Sequence, residues 1–219
     1  MGKQDEIFRA GNLSGLPFSF NTEVTEVFED MIDRSVPGYK TSMKLIELYA
    51  GEYIQDNTHC YDLGCSLGAA TKALLLASKK KSVKIISIDN SKAMIKKCEA
   101  TFAQEIINQS VEFKEEDLRV SQLKEASVVV VNFVLQFLHF QDRDLLLKRI
   151  FNSLKPRGAL IISEKIHFKS KNKTSSVSSI YHKFKSRNGY SDLEIAGKRD
   201  ALEGVLLTET EEIHIERFK

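Results

Sequence analysis

The chain has 219 residues and a formal net charge of +2, with acidic and basic side chains in nearly equal number. This length suits one domain with a sizeable core, and the balanced charge argues against nucleic acid or an anionic membrane as partner, so a small molecule is expected instead. The three cysteines show no metal-ligand spacing, and the polar N-terminus contains no signal segment. No apolar run approaches the roughly 20 residues that a membrane helix needs. These features predict a soluble, cytoplasmic protein.

Two helices are predicted near the N-terminus, after a weakly patterned arm. The first has Asn21 or Thr22 as its N-cap and apolar side chains at helical spacing, and it ends where Pro37 and Gly38 interrupt the pattern. The second is predicted at about residues 39–54. Its core-facing side chains are expected to be Met43, Ile46, Leu48 and Tyr49.

Five apolar runs with helical stretches between most of them predict an α/β fold, in which a mostly parallel, Rossmann-like sheet is covered by helices on both faces. The runs are residues 60–63, 83–88, 111–113, 128–133 and 160–162. The fourth run is β-branched and apolar on both sides, as a central strand should be, so it is expected to lie beside the first. The helix after it includes Leu154 and is expected to end at Pro156 and Gly158.

Residues 169–179 are rich in serine, lysine and asparagine, which predicts an exposed loop or a mobile lid. Helical patterning resumes at 180–185 and at 193–205, and no further strand-like run follows it. The chain is predicted to form a single domain. Its parts are an N-terminal arm with helices at 1–56, a Rossmann-like core at 57–168, and a lid with C-terminal helices at 169–219.

Residues 61–70 join an apolar strand to a helix through a glycine-rich turn. Such a turn lets a nucleotide-like ligand approach the backbone closely, beside free backbone N–H groups. Asp89 closes the next strand, where a carboxylate can accept from ribose hydroxyls. The spacing from Gly64 to Gly68 lacks the middle glycine of the dinucleotide fingerprint, and Ser66 stands in its place, so a purely structural turn remains the alternative.

Further polar candidates follow the predicted strands. Asp62 either faces an ammonium or sulfonium charge of the ligand or only caps the glycine turn, and the two interpretations are equally supported. Asp117 and Leu118 end an acidic segment that could present an acceptor to an adenine amino group, although acidic segments are usually solvated loops. Asn132 ends the fourth strand, where a polar side chain is expected to face a crevice. The five histidines show no zinc-ligand pattern, so no metal is expected.

A family resemblance rests on ten short segments: residues 30–32, 34–39, 61–70, 88–91, 132–133, 135–138, 158–160, 163–165, 188–191 and 193–195. In these segments the chain resembles the bacterial carboxy-S-adenosyl-L-methionine synthases, a family of the class I S-adenosylmethionine-dependent methyltransferase superfamily. The resemblance extends over nearly the whole chain. It is more specific than the glycine turn, because an ordinary methyltransferase has no reason to share the segments before Tyr61 and after Lys165.

The resemblance implies that prephenate supplies a carboxyl group to S-adenosylmethionine and leaves as phenylpyruvate. The product, carboxy-S-adenosylmethionine, is the donor that a separate enzyme uses on wobble uridine of certain transfer RNAs. In the chemistry proposed for the family, prephenate releases carbon dioxide and hydroxide, the hydroxide deprotonates the sulfonium methyl, and the resulting ylide captures the carbon dioxide. A protein of this kind needs no base of its own, so no catalytic residue is assigned, and it acts by orienting two ligands and excluding water. A homodimer without direct nucleic-acid or membrane contact is also implied.

The resemblance also implies a set of cofactor contacts: Tyr39, Gly64, Cys65, Ser66, Asp89, Asn90, Asp117, Leu118, Asn132 and Arg199. Asp117 and the backbone N–H of Leu118 are expected to bind adenine. Arg199 is expected to bind the added carboxylate, a role that suits the forked guanidinium; its spacing alone would make it an exposed helix arginine.

The chain departs from the family in two respects. The family pattern continues beyond residues 208–219 into a final strand pair, so the sheet of this chain is expected to lack that pair. Residues 169–179 are also more serine-rich than the family pattern, so the lid is expected to differ.

Two other functions remain open at this point. The first is a conventional methyltransferase that transfers the methyl group to a small acid or to RNA. The second is a non-enzymatic protein that binds a nucleoside or supports another transfer-RNA enzyme.

Overall fold

The structure is a computed structural model that describes residues 3–9 and 17–219. The chain divides into two compact units, and their boundaries differ from the predicted divisions at residues 56 and 168. The sheet unit is Lys40–Glu164, and the helical unit combines Met1–Tyr39 with Lys165–Lys219. That the chain forms a single domain stays a prediction.

The sheet unit contains five strands in the order β3-β2-β1-β4-β5, and every neighbouring pair is parallel. The strands are β1 Thr58–Leu63, β2 Val83–Asp89, β3 Val111–Glu115, β4 Ala126–Asn132 and β5 Leu154–Ser163. The predicted α/β fold is confirmed, and so is the position of the fourth strand beside the first. Within the described residues, no further strand extends the sheet beyond β5.

Helices cover both faces of this sheet. They are α2 Tyr39–Tyr53, α3 Ala69–Ala77, α4 Lys92–Thr101, α5 Ala103–Ile107 and α6 Phe140–Ser153. Alternate residues of β4 enter two separate cores: Val129 and Val131 pack with α6 on one face, while Val128 and Val130 pack with α2 and α3 on the other. A strand buried on both sides needs the continuous β-branched run that the sequence provides.

Two predictions at the edges of this unit were wrong. Leu48 and Tyr49 on α2 are 67% and 57% exposed instead of buried, because the inner face of the helix is the narrow stripe through Ile46 and Ala50, one turn apart. In addition, α6 ends at Ser153, and Leu154 already belongs to β5, where it pairs with Ala126.

The early start of β5 also moves the predicted helix-ending residues into the strand. Pro156 and Gly158 lie within β5, next to a register shift against β4. A Cβ on Gly158 would lie 3.1 Å from the backbone oxygen of Ala126, so glycine allows the two strands to approach here.

The helical unit contains α1 Thr22–Ser35, α7 Lys171–Arg187, α8 Asp192–Ala201 and α9 Glu211–Arg217. The side chain of Asn21 caps α1 by accepting the N–H of Val24, as predicted. A single parallel bridge joins Ile166 to Glu209. Of the helices in the described parts of the chain, none is both long and apolar enough to span a membrane.

The predicted loop or lid at residues 169–179 is instead mostly the first part of α7. Ser170 is the N-cap and accepts the N–H of Lys173, and the Thr174 hydroxyl both accepts from and donates to the backbone of Phe168. Serine and asparagine reduce helix propensity by well under about 1 kcal/mol per residue. Capping and packing therefore outweigh the loop-like composition that motivated the prediction.

Candidate functional site

The carboxyl ends of β1–β4 meet at one edge of the parallel sheet, and most of the predicted cofactor contacts follow these ends. The glycine turn from Gly64 to Gly68 follows β1, and Asn90 follows β2. Asp117 and Leu118 follow β3, while Asn132 is the last residue of β4. In open α/β sheets, ligands bind in the crevice outside this edge.

The glycine turn has no room for side chains at either of its glycines. Gly64 has a φ of +73°, and a Cβ there would lie 2.4 Å from a methyl carbon of Val134. Gly68 has a φ of +76°, and a Cβ there would lie 2.6 Å from the ring of Phe102. A left-handed backbone and occupied space thus require glycine at both positions, and the backbone itself forms the floor of the crevice.

The turn is tied to the end of β2 by its own amides. The N–H groups of Gly64 and Cys65 donate to the carbonyl oxygen of Ile88 at 2.8 and 3.0 Å. The N–H of Ser66 donates to the Asp89 carboxylate at 2.9 Å. The N–H groups of Gly64, Cys65 and Ser66 are therefore not free to bind a ligand, because their hydrogen bonds hold the turn in place.

Asp89 connects three loops of the site. Its second carboxylate oxygen accepts the N–H of Ser91 at 2.8 Å, and its carbonyl oxygen accepts the N–H of Glu116 at 3.1 Å. Burial raises the pKa of this carboxyl. Since each carboxylate oxygen can accept two hydrogen bonds, Asp89 keeps acceptor capacity for a ligand hydroxyl. Asn90, beside it, is exposed.

Asp62 favours the capping interpretation. The residue is 1% exposed, and its carboxylate accepts the Thr71 hydroxyl at 2.7 Å. The same hydroxyl lies 2.8 Å from the hydroxyl of Ser87. Burial raises the pKa of Asp62 to about 6. The carboxylate is thus used to fix the start of α3 beneath the turn.

Cys65 contributes to the turn through its backbone, since its side chain is buried beside that of Cys98. The neighbouring thiol and burial together raise the pKa of Cys65 well above its usual value. Cys98 donates to the carbonyl oxygen of Ser66 at 3.1 Å. A neutral, buried thiol is unreactive, so the predicted contact of Cys65 with a ligand has to be made by the main chain.

The segment after β3 presents a paired carboxylate. Arg119 donates to Asp117 through its Nε at 2.9 Å and its Nη2 at 2.6 Å, and this guanidinium lowers the pKa of Asp117. Leu118 has a buried side chain, and its carbonyl oxygen accepts from Arg149. Both predicted adenine-binding residues are therefore held in place from outside the crevice.

Asn132 is the strongest sign of a ligand at this edge. Its side-chain oxygen is buried and has no hydrogen-bond partner within the part of the chain that the structure describes. Leaving such an acceptor unpaired costs about 1–3 kcal/mol, and buried polar groups in native proteins are normally satisfied. A ligand with a polarised N–H or C–H group would satisfy it.

Tyr39 and Arg199 belong to the other compact unit, and the positions predicted for them beside the ligand stay predictions. Tyr39 is the first residue of α2. Arg199 lies on α8, where its exposed guanidinium donates to the Asp200 carboxylate at 3.0 and 3.1 Å. Such an exposed pair is weak and can exchange for a ligand carboxylate.

Glu164 was not among the predicted site residues. Its carboxylate accepts three consecutive N–H groups, from Val134 at 3.0 Å, Leu135 at 2.7 Å and Gln136 at 3.2 Å. It thereby fixes the loop between Asn132 and α6, including the Val134 side chain that fills the space beside the glycine turn. The available signal was its position directly after the last predicted strand, at the edge where the other candidates meet.

The three N–H donors do not compensate for burial, which raises the pKa of Glu164 to about 7. An unfolded glutamate titrates near 4.3, so the folded protein holds more protons than the unfolded chain between roughly pH 4.3 and 7. The free energy of unfolding should therefore fall as the pH rises through this window, by up to about 3 kcal/mol.

We expect Glu164→Gln to flatten this pH dependence, because glutamine does not titrate. Urea unfolding at pH 5 and pH 7.5 measures the difference for both proteins. Asp62, with a raised pKa of its own, contributes a slope of the same sign in both and so leaves a residual slope in the variant. Equal slopes for the two proteins would show that Glu164 ionises in the folded state as freely as in the unfolded chain.

Comparisons with known proteins cover the part of the chain that contains this site. A family model described as a methyltransferase domain matches residues 61–160, which include the glycine turn and the strands behind it. Within the described residues, no three His, Cys, Asp or Glu side chains are grouped so that they could hold a metal ion.

The chain is similar over its whole length to curated proteins named carboxy-S-adenosyl-L-methionine synthase. The protein from Yersinia enterocolitica is 42% identical over 216 residues, which cover 99% of this chain and 81% of the relative. The protein from Citrobacter koseri is 43% identical over 218 residues, which cover 100% of this chain and 88% of the relative.

Solved structures show the same fold at low sequence identity. A Methanococcus maripaludis protein described as an S-adenosyl-L-methionine-dependent methyltransferase is 17% identical, with a TM-score of 0.54 over 90% of this chain and 97% of its own. A Haloferax volcanii methyltransferase, solved with the activator Trm112, is 15% identical with a TM-score of 0.58 over 90% of this chain and 73% of its own. The fold is that of the class I S-adenosylmethionine-dependent methyltransferases.

Proposed function

Because the chain belongs to the carboxy-S-adenosyl-L-methionine synthase family, we propose that it converts S-adenosylmethionine and prephenate into carboxy-S-adenosylmethionine and phenylpyruvate. The product would supply the carboxymethyl group for wobble uridine in transfer RNA. The enzyme would work in the cytoplasm as a homodimer without binding nucleic acid itself.

The observation that carries this proposal is the unpaired oxygen of Asn132 beside a glycine turn that leaves only backbone at the crevice. This combination fits a nucleoside with a positively charged sulfonium group. The turn would lie against the ribose and the methionine portion of the ligand, with Asp89 and Asn90 accepting from the ribose hydroxyls. Asp117 and the N–H of Leu118 would bind adenine.

When bound, S-adenosylmethionine supplies a methyl group made acidic by the sulfonium. The residues of this chain bind, orient and shield it. The Asn132 oxygen can accept a weak C–H hydrogen bond or an ammonium N–H at the end of β4. Glu164 keeps the loop after Asn132 in one conformation through its three backbone hydrogen bonds. Tyr39 and Arg199 would complete the site, with Arg199 binding the carboxylate that is added.

Purified protein incubated with S-adenosylmethionine and prephenate should yield the carboxylated sulfonium compound and an equal amount of phenylpyruvate, both detectable by mass spectrometry. A reaction without prephenate is the control and should yield neither. Formation of S-adenosylhomocysteine on an acceptor, independent of prephenate, would instead show a conventional methyltransferase. Ligand binding with no turnover of any kind would favour a non-enzymatic binding protein.

A further inference from the structure

Lys185 on α7 is a buried lysine whose charge has no acceptor in residues 3–9 and 17–219. The residue is 6% exposed, and its ammonium makes neither a hydrogen bond nor a salt bridge with any residue that the structure describes. Its ammonium lies over the ring of Tyr181, 4.5 Å from the ring centroid. Native proteins rarely bury a lysine that is not paired, so this group points to a missing anion.

Lys198, in the same unit, provides the internal contrast. It is similarly buried, at 7% exposure, but its ammonium donates to the Ser35 hydroxyl at 3.1 Å and lies 3.9 Å from the Asp5 carboxylate. Lys198 therefore has the partners that a structural buried lysine needs. Lys185 lacks them, which separates its role from that of Lys198.

Other cationic groups surround Lys185. The ammonium of Lys165 lies 5.1 Å from the centroid of the same Tyr181 ring. The pKa of His182 is lowered by burial and then by the charges of Lys185, Arg199 and Lys165, which shows that these groups lie within electrostatic range of one another. We call Lys165, Lys185 and Arg199 the α7 cation cluster; the lowered pKa of His182 beside them favours its neutral form.

The carboxylates near this cluster are already engaged. Burial, and after it the charge of Lys165, lowers the pKa of Lys185 to about 8, and Asp5 opposes this shift only in part. The carboxylate oxygens of Asp5 already accept the Tyr190 hydroxyl at 2.5 Å and the N–H of Ile7 at 3.3 Å. Asp200 is paired with Arg199 in an exposed contact. Among the described residues, Lys185 thus keeps a buried positive charge without a carboxylate or hydroxyl acceptor beside a partly buried aromatic ring, with the cationic side chains of Lys165 and Arg199 in its neighbourhood. This arrangement suits an organic anion with more than one carboxylate.

We propose that the α7 cation cluster binds a small dicarboxylate, with Lys185 as its central contact. This proposal deepens the function proposed above and rests on it in one respect: prephenate carries two carboxylates, so the cluster would be the site that receives the second substrate. Lys185 would hold one carboxylate in the interior of the unit, while Lys165 and Arg199 would hold the exposed end. The preference for a dianion follows from two ammonium groups beside one ring, those of Lys165 and Lys185, with the charge of Arg199 acting on the neighbouring His182.

The test is direct binding of prephenate by isothermal titration calorimetry, since this measurement does not require turnover. Lys185→Met removes the charge and keeps an unbranched side chain. It should weaken prephenate at least about tenfold, as expected for loss of a buried charge-assisted contact, while the affinity for S-adenosylmethionine should stay within about twofold. Lys183→Met, which removes an exposed lysine from the same helix, is the matched control and should change neither affinity.

A stability measurement distinguishes a binding role from a structural one. Replacing an unpaired buried charge with an apolar side chain of similar length should leave the melting temperature of Lys185→Met unchanged or raise it. A variant that loses prephenate but becomes more stable supports the proposal. A variant with a clearly lower melting temperature and unchanged affinity would overturn it, because the ammonium would then be a structural group.

Two further outcomes would also overturn the proposal: no binding of prephenate by the wild-type protein, or equal losses of prephenate and S-adenosylmethionine in Lys185→Met. If Lys185→Met does not fold, Lys165→Met at the exposed end of the cluster tests the proposal instead. Its affinity for prephenate should fall at least about threefold, while its affinity for S-adenosylmethionine should not change. Failure of the proposed reaction is a separate result. If prephenate binds through Lys185 but no carboxylated product forms, the dicarboxylate site is supported and the synthase activity is contradicted.

Discussion

Gly64→Ala is expected to abolish measurable binding of S-adenosylmethionine and to lower the free energy of unfolding by about 2–4 kcal/mol. Alanine would have to adopt a φ of +73°, and its Cβ would lie 2.4 Å from a methyl carbon of Val134. The N–H of Val134 is bound to Glu164, which holds its backbone in place, and all three of its side-chain carbons would lie within 3.4 Å of the new Cβ, so rotating the side chain does not clear the space. The turn would therefore be displaced towards the crevice, where the ligand is proposed to bind.

Calorimetric titration with S-adenosylmethionine and urea unfolding measure the two effects. Gly204→Ala is a matched control, since Gly204 has a φ of +72° but nothing within 4 Å of a Cβ. The control should show only the backbone strain of about 1 kcal/mol and normal binding. If Gly64→Ala is no more destabilising than Gly204→Ala and binds ligand normally, the close contact with Val134 is not important.

Asp89→Asn is expected to weaken S-adenosylmethionine binding by about 100-fold, or roughly 3 kcal/mol. Both carboxylate oxygens accept backbone N–H groups, from Ser66 and Ser91. Asparagine has one acceptor oxygen, so its NH₂ group would face one of these donors. The variant would lose the anchoring of the glycine turn together with the acceptor proposed for the ribose hydroxyls.

The same titration measures this loss, and Asp56→Asn is its control. Asp56 also accepts a backbone N–H, that of Ser82 at 2.8 Å, but it lies at the opposite end of the strands, before β1. Its substitution should leave the affinity unchanged. A loss for Asp89→Asn of less than about tenfold would show that neither the anchoring nor the ribose contact is important for binding.

The sheet could be predicted from the sequence because its signals are local. Apolar β-branched runs of strand length, separated by helical patterns, specify a parallel sheet with covered faces whatever the surroundings. The position of Asn132 at a strand end followed from the same pattern. The missing hydrogen bond of the Asn132 oxygen could not be predicted in this way, because it depends on every group packed around that oxygen.

The errors come from interactions between distant residues. Glu164 acts through N–H groups about 30 positions earlier in the chain, and no spacing rule connects the two. The polar start of α7 becomes a helix through capping by Ser170 and anchoring of Thr174. Lys185 looks like an ordinary exposed lysine until the packing of its helix buries it.

Each glycine of the turn has an apolar side chain from a distant segment in the space where its own side chain would be: Val134 beside Gly64 and Phe102 beside Gly68. The two members of each pair share one volume, so a change in one position alters which residues the other can tolerate. The positive φ keeps glycine at 64 and 68, so the expected variation among diverging relatives lies at positions 134 and 102. Side chains there should vary only in ways that still fill the space which each glycine leaves open.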